Sequence, residues 1–121
     1  KPSDVALINA HGTATRANDE TESATIRNVF GSYADTVPVV SNKSYFGHML
    51  GASGAAETVA SALMLEHGQI IPNLNITNPG PACSINLPVG STIDLKGNII
   101  VKNSFGFGGN NAVLVLKQTD K

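Results

Sequence analysis

The chain has 121 residues, with 8 Lys and Arg against 9 Asp and Glu, a net charge of −1, and a single cysteine. Basic residues are scattered singly, which argues against a nucleic-acid surface. One cysteine rules out an intrachain disulfide framework and suits a reducing compartment, so a cytoplasmic protein is expected. No apolar run reaches membrane-spanning length, and the first residues lack the charged and apolar blocks of a signal sequence.

In chain order, VALINA (5–10) is a short, nearly continuous apolar run, the pattern of a strand covered on both faces. Asp19 is placed to cap a helix running through Phe30, with Gly31 as its stop. VPVV (37–40) reads as a second strand. Residues 52–67 read as a helix ending at Gly68. Ala55, Val59 and Leu63 share one of its faces and Ala56, Ala60 and Met64 the next, so it is expected to be buried over much of its surface. The stretch from Pro72 to Pro88 reads as a long loop, with Cys83 as a small buried residue in it. NIIVKN (98–103) and AVLVLK (112–117) are the last two strands, separated by SFGFGGNN. Strand, helix, strand, helix, strand predicts right-handed crossovers onto a mainly parallel sheet with a closing hairpin, an α/β fold.

If those strands are parallel, HGTAT, SNKSYFGH and SFGFGG all leave strand C-termini along one edge of the sheet. Open α/β sheets usually bind ligands at that edge, so His11, Lys43 and His48 are expected to converge there with the glycines. Glu57 is an acid within a buried helix and requires a partner, for which Lys43 or a bound cation is suited.

Other chemistries suit these residues less well. The three histidines (His11, His48, His67) lack metal-ligand spacing and no cysteine cluster exists, so no metal is expected. GHMLGASG precedes a helix as an anion loop does, but lacks Gly-Lys-Ser/Thr and the dinucleotide glycine spacing. FGFGG precedes a strand, and no Gly-x-Ser-x-Gly elbow is present. Two sequons, at Asn42 and Asn75, carry no weight by themselves.

Taken together, NAHGTAT, SNKSYFGHMLGASGAAE and NSFGFGGNN resemble the C-terminal part of a β-ketoacyl-acyl carrier protein synthase, a condensing enzyme of the thiolase fold. The resemblance runs from Val5 to Leu116, and NLNITNPGP resembles the loop after the family's buried helix. It implies that residues 1–121 are a segment of the second of two similar halves, without that half's first strand. The nucleophilic cysteine would lie in the other half, since Cys83 in GPACSINLP does not resemble its surroundings.

By the resemblance, His11 and His48 are the catalytic histidines and Lys43 the lysine beside them. Thr13 and Thr15 match threonines that bind the phosphopantetheine arm of an acyl carrier protein. Phe107, between Gly106 and Gly108, matches a gating phenylalanine whose backbone N–H helps form an oxyanion hole. Asn9, Glu57 and Asn103 match buried residues that surround a monovalent cation in some members. Asn18 stands where the family often has Gly, Arg16 where Pro is frequent and Lys102 where Ser is common. Arg16 and Asn18 are expected on a loop rim.

The implied reaction is a decarboxylative Claisen condensation of a malonyl thioester with an acyl-enzyme, as in fatty acid or polyketide-type biosynthesis. Charge develops on a thioester oxygen, so N–H donors must already be aimed at it. Two neutral imidazoles suit that need. Lys43 and the following helix N-terminus are expected to disfavour protonation of His48. No cofactor is implied beyond the phosphopantetheine carried by the substrate. The implied partners are the acyl carrier protein and the remainder of the synthase, a homodimer when complete; the segment alone is expected to be inactive. A second reading is a non-catalytic, chain-length-factor-like subunit that keeps the fold without the nucleophile.

Overall fold

The computed structural model describes residues 1–119. In chain order its regular elements are β1 (Leu7–Asn9), α1 (Arg16–Phe30), β2 (Val39–Val40), α2 (Lys43–Phe46), α3 (Ser53–His67), β3 (Gln69–Ile70), β4 (Ile93–Asp94), β5 (Ile99–Phe105) and β6 (Asn111–Lys117). The apolar run at the start forms β1, and every residue from Val5 to His11 is buried. β2 and β5 flank β1 and run parallel to it, and β6 returns antiparallel along β5. The sheet order is therefore β2-β1-β5-β6, the parallel sheet with a closing hairpin that the pattern predicts. β3 and β4 pair in a small separate ribbon that brackets the long loop.

Successive strand residues point to opposite faces, so each face of the sheet carries its own core. Ile8, Ala10, Val37 and Val39 pack with Ile26 of α1 on one face. Leu7, Val40 and Ile100 pack with Met64 and Leu65 of α3 on the other. Each fully buried Leu, Ile or Val contributes roughly 1.5–3 kcal/mol, enough in sum to hold very short strands in place. The same alternation sends Asn9 and Lys102, partners across β1 and β5, toward α3. It sends Asn103 toward α1.

Four expectations are corrected. Thr15 caps α1, its hydroxyl accepting from Asn18 N at 3.4 Å, so the helix starts three residues before the expected cap Asp19. Arg16 and Asn18 consequently sit in the first helical turn and not on a loop rim. SNKSYFGH is not all loop: Lys43–Phe46 close one helical turn, α2. Finally, α3 is not buried over most of its apolar surface. Its inward face is Ser53, Glu57, Ser61, Met64 and Leu65, whereas Ala55, Val59 and Leu63 face outward. Small polar residues face the sheet because buried polar partners wait there.

Among the described residues, no helix is long and apolar enough to cross a membrane. Val59 and Leu63 of α3 and Val113, Leu114 and Val115 of β6 are all substantially exposed. β6 is also an edge strand with an unpaired backbone side. The isolated segment should therefore self-associate at high concentration. Light scattering measures this: Val113→Lys with Val115→Lys should shift the segment toward monomer, and a monodisperse monomer without those changes contradicts it.

Candidate active site

The loops leaving β1, β2 and β5 meet at one edge of the sheet. His11 lies two residues past β1, and Lys43 reaches the same place from the single turn of α2. The chain passes between them tightly. At Gly12, φ is +46°, and a Cβ there would lie 2.4 Å from Ser41 Cβ, so only glycine fits. Ser41 Oγ donates to Gly12 O at 2.9 Å, tying the first two loops together.

The backbone of the first loop is held from the α1 side by Glu22. Its Oε1 accepts from His11 N at 2.9 Å and from Asn103 Nδ2 at 3.1 Å. Its Oε2 accepts from Gly12 N at 2.9 Å and from Asn18 Nδ2 at 3.2 Å. One buried carboxylate thus joins α1, β5 and the His11 loop.

From the α3 side the loop is held by charge. Lys43 Nζ spends its three donors on His11 O at 2.6 Å, Glu57 Oε1 at 2.5 Å and His11 Nδ1 at 3.4 Å. Glu57 Oε2 faces a second ammonium, Lys102 Nζ, at 2.6 Å, an ion pair without hydrogen-bond alignment. Asn9 fixes the helix that carries Glu57: its Nδ2 donates to Asn42 Oδ1, Ser61 Oγ and Glu57 O. Breaking a buried ion pair by removing one partner costs about 3–5 kcal/mol, so this cluster is rigid.

These contacts decide how the two imidazoles are protonated. An ammonium can only donate, so His11 Nδ1 is an acceptor and its proton sits on Nε2. At His48, Nδ1 accepts from the Leu50 N–H at 3.1 Å and lies 3.1 Å from Ser53 Oγ, again leaving the proton on Nε2. Among the described residues neither Nε2 has a partner. The rings meet edge to face, 5.6 Å between centroids. Both therefore offer a free N–H within one small region.

Burial holds His11 below the usual histidine range, and the Lys43 charge acts in the same direction; Glu22 opposes them. By hydrogen bonds Lys43 serves His11 and not His48: all three of its donors go to His11 and Glu57. Burial likewise pulls Lys102 below the usual lysine range, and Glu57 opposes it.

The remaining predicted residues are placed as follows. Thr13 and Thr15 hydroxyls lie 2.9 Å apart beside the site, Thr15 also serving as the α1 cap. Asn103 is buried against Glu22. Phe107 is wholly exposed at the tip of a turn, between Gly106 and Gly108; the aromatic ring against His11 belongs to Phe105, at 5.5 Å between centroids. Cys83 is half-buried, not buried as expected, and lines a cavity of about 430 Å³ that also touches Thr13, Lys43 and His48.

Among the described residues, no three His, Cys, Asp or Glu side chains stand together as a metal site. A monovalent cation at Asn9, Glu57 and Asn103 does not fit either. Both Glu57 oxygens already face ammonium groups, and a further cation would meet Lys102. Among the described residues, the buried side-chain atoms without a hydrogen-bond partner are Asn9 Oδ1, Asn42 Nδ2 and Glu57 Oε2, the last facing Lys102 as an ion pair.

Sequence reasoning missed Glu22, Phe105 and Asn73. Asn73 pins the long loop, accepting from Ser41 N at 2.8 Å and donating to Val39 O at 3.0 Å. Glu22 had a signal, because it precedes the buried Ile26 by four residues and so shares its face. Glu22→Gln would set an amide N–H₂ against two donors. Urea unfolding of the full-length protein should show a loss of about 2–4 kcal/mol, whereas His48→Ala, at an exposed ring, should change stability little. Equal stability of Glu22→Gln and the unmodified protein would remove Glu22 from this role.

Residues 1–77 match the family model for the beta-ketoacyl synthase C-terminal domain. The chain is 42% identical over 118 residues to 3-oxoacyl-[acyl-carrier-protein] synthase 2 of Synechocystis sp., covering 98% of this chain and 28% of that protein. The structure of the ishigamide ketosynthase/chain length factor matches with a TM-score of 0.93 and 38% identity, over 99% of this chain and 29% of that one. That of a type II PKS acyl-carrier protein in complex with its ketosynthase matches with a TM-score of 0.95 and 36% identity, over the same shares. The chain thus spans less than a third of the length of these proteins and carries part of a thiolase-like fold. With its parallel sheet, its three converging loops and these matches, the chain belongs to the β-ketoacyl synthase family, as sequence from the C-terminal domain.

Proposed function

We propose that this segment is part of a 3-oxoacyl-[acyl-carrier-protein] synthase and supplies the N–H donors that stabilise its enolate. The observation that carries the reading is the matched protonation of His11 and His48, each with Nδ1 occupied and Nε2–H free. In the reaction, the C–C bond of the malonyl thioester breaks and CO2 leaves. The electron pair passes into a thioester enolate, whose oxygen takes the developing charge. The enolate carbon then attacks the acyl carbonyl on a cysteine, and that thiolate departs. The cysteine comes from the remainder of the synthase, so the segment has no condensing activity alone. The acyl carrier protein is the partner that delivers the substrate, with Thr13 and Thr15 toward its phosphopantetheine arm.

A neutral imidazole donor suits an enolate better than a carboxylate, which would repel it, or an imidazolium, which would be stabilised only at low pH. Burial and Lys43 keep His11 in the neutral form. His48→Ala in the full-length enzyme should suppress decarboxylation and condensation by about 10²–10³-fold while sparing acyl transfer to the cysteine. Poor acyl-enzyme formation with decarboxylation at the normal rate would reverse the assignment.

The chain-length-factor alternative draws support from the ketosynthase/chain length factor match. Retention of both histidines and of Lys43 in a full hydrogen-bond set favours the catalyst, since a non-catalytic subunit has no use for two aligned donors. A cysteine nucleophile encoded in the other half would decide for the catalyst.

Phe107 is proposed as a mobile gate. Its ring is fully exposed, and Gly108 and Gly109 follow it at φ +77° and +81°, a backbone that a β-branched residue strains to adopt. Gly108→Val should lower turnover. Normal turnover in that variant, together with an unmoved loop in crystals of the acylated and free enzyme, would exclude the gate.

A further inference from the structure

We propose that Lys102 is a built-in counter-cation: its ammonium stands beside Glu57 in place of a dissociable monovalent ion and keeps Glu57, Lys43 and His11 in register. Its side chain is the largest that is fully buried, and it lies in the middle of β5, opposite Asn9 on β1 and Leu114 on β6. A lysine so placed is costly unless its charge is answered. The answer is an all-oxygen surround: Glu57 Oε2 at 2.6 Å, the carbonyl of Asn103, and Ser104 Oγ at 3.2 Å. Carboxylate, carbonyl and hydroxyl oxygens are also what a hard cation selects.

Glu57 needs a second cation because Lys43 engages only Oε1. Without Lys102, Oε2 would be a buried half-charge with no partner, and the carboxylate would be free to turn or to take up a proton. Either event releases Lys43, whose other contacts set the His11 carbonyl and the His11 Nδ1 acceptor. Lys102 touches neither imidazole by hydrogen bond; it is a positioning residue, acting through Glu57 and Lys43. Being tethered to the strand, it cannot dissociate, so the order of the site does not depend on the salt outside. A free ion, by contrast, stabilises by an amount that grows with the logarithm of its concentration relative to its dissociation constant.

The test uses the full-length synthase that carries this segment, at one ionic strength, in potassium, sodium or choline chloride. The unmodified enzyme should melt at the same temperature in all three. Lys102→Ser vacates a place lined by Glu57 Oε2, Asn103 O and Ser104 Oγ. In choline its Tm should fall by roughly 5 °C or more, and potassium or sodium should restore it with a saturable dose. Lys102→Met keeps the stem but fills the space, and no salt should rescue it. Turnover of Lys102→Ser should be low in choline and recover with the same dose. The turnover arm rests on the condensing reading above, whereas the melting arm does not, so failure of one is separable from failure of the other. Selective stabilisation of the unmodified enzyme by potassium or sodium would overturn the proposal, because a dissociable ion would then still bind. So would a Lys102→Ser variant that keeps its Tm in choline, or one that loses it equally in all three salts.

Discussion

Glu57 is enclosed between the ammonium groups of Lys43 and Lys102, all three side chains nearly or wholly removed from solvent. Nothing else among the described residues commits so much charge to so little water. Two lysines with Glu57 alone would leave an excess positive charge inside the sheet. Glu22, on the opposite face, balances it, provided that His11 is neutral. The charges of the buried cluster thus close only for the imidazole form, and the lowered His11 titration expresses the same constraint. Electrostatic balance and the proposed chemistry ask for one protonation state.

The strand period is what allows this arrangement. At adjacent positions on β5, Lys102 and Asn103 point to opposite faces, one toward Glu57 on α3 and the other toward Glu22 on α1. The two carboxylates are therefore never neighbours, and each receives its own donors. A register slip of one residue would put Lys102 against the apolar core of Ile26 and Val39, so the polar pairs specify the β1–β5 register as strongly as the apolar ones do. The inward face of α3 is polar for the same reason. Ser61 and Glu57 meet Asn9 there, and Val59 and Leu63 are displaced to the helix's outer surface.

Much of the fold was legible in the sequence because short apolar strands, a Gly stop after each long helix and the strand–helix alternation are local signals. The parallel order followed from those signals, and with it the meeting of His11, Lys43 and His48 at one edge. What was not legible depended on contacts distant in the chain. Asp19 and Thr15 are both acceptable caps, and only the loop from Gly12, pressed against Ser41, selects Thr15. The small-residue helix read as buried all round because periodicity records which residues are apolar and not which face meets a polar partner. Lys43 was expected beside both histidines with Glu57 as a suited partner, and to act on the protonation of His48. The contact it makes is with His11, 32 residues away, through a turn of helix that no pattern marked. Lys102 was noticed as a departure from the family pattern, but its role needed Glu57 at 2.6 Å.

The two histidines are unlike in how they are held although alike in protonation. His11 is buried, with its backbone N–H on Glu22, its carbonyl on Lys43 and its ring on Lys43 and Phe105. His48 is exposed and held by one turn of its own loop, through Leu50 N and Ser53 Oγ. A donor fixed by three elements and a donor fixed by one local turn make a suitable pair for the substrate of the proposed reaction, which must enter and leave. In the proposed reaction, the firmly held ring sets the direction of the oxyanion position and the locally held ring completes it. The exposed Gly-Phe-Gly turn lies at the end of β5, the same strand whose Lys102 secures the rigid member. A buried charge and an exposed glycine turn thus lie on one strand and its exit, within five residues of each other.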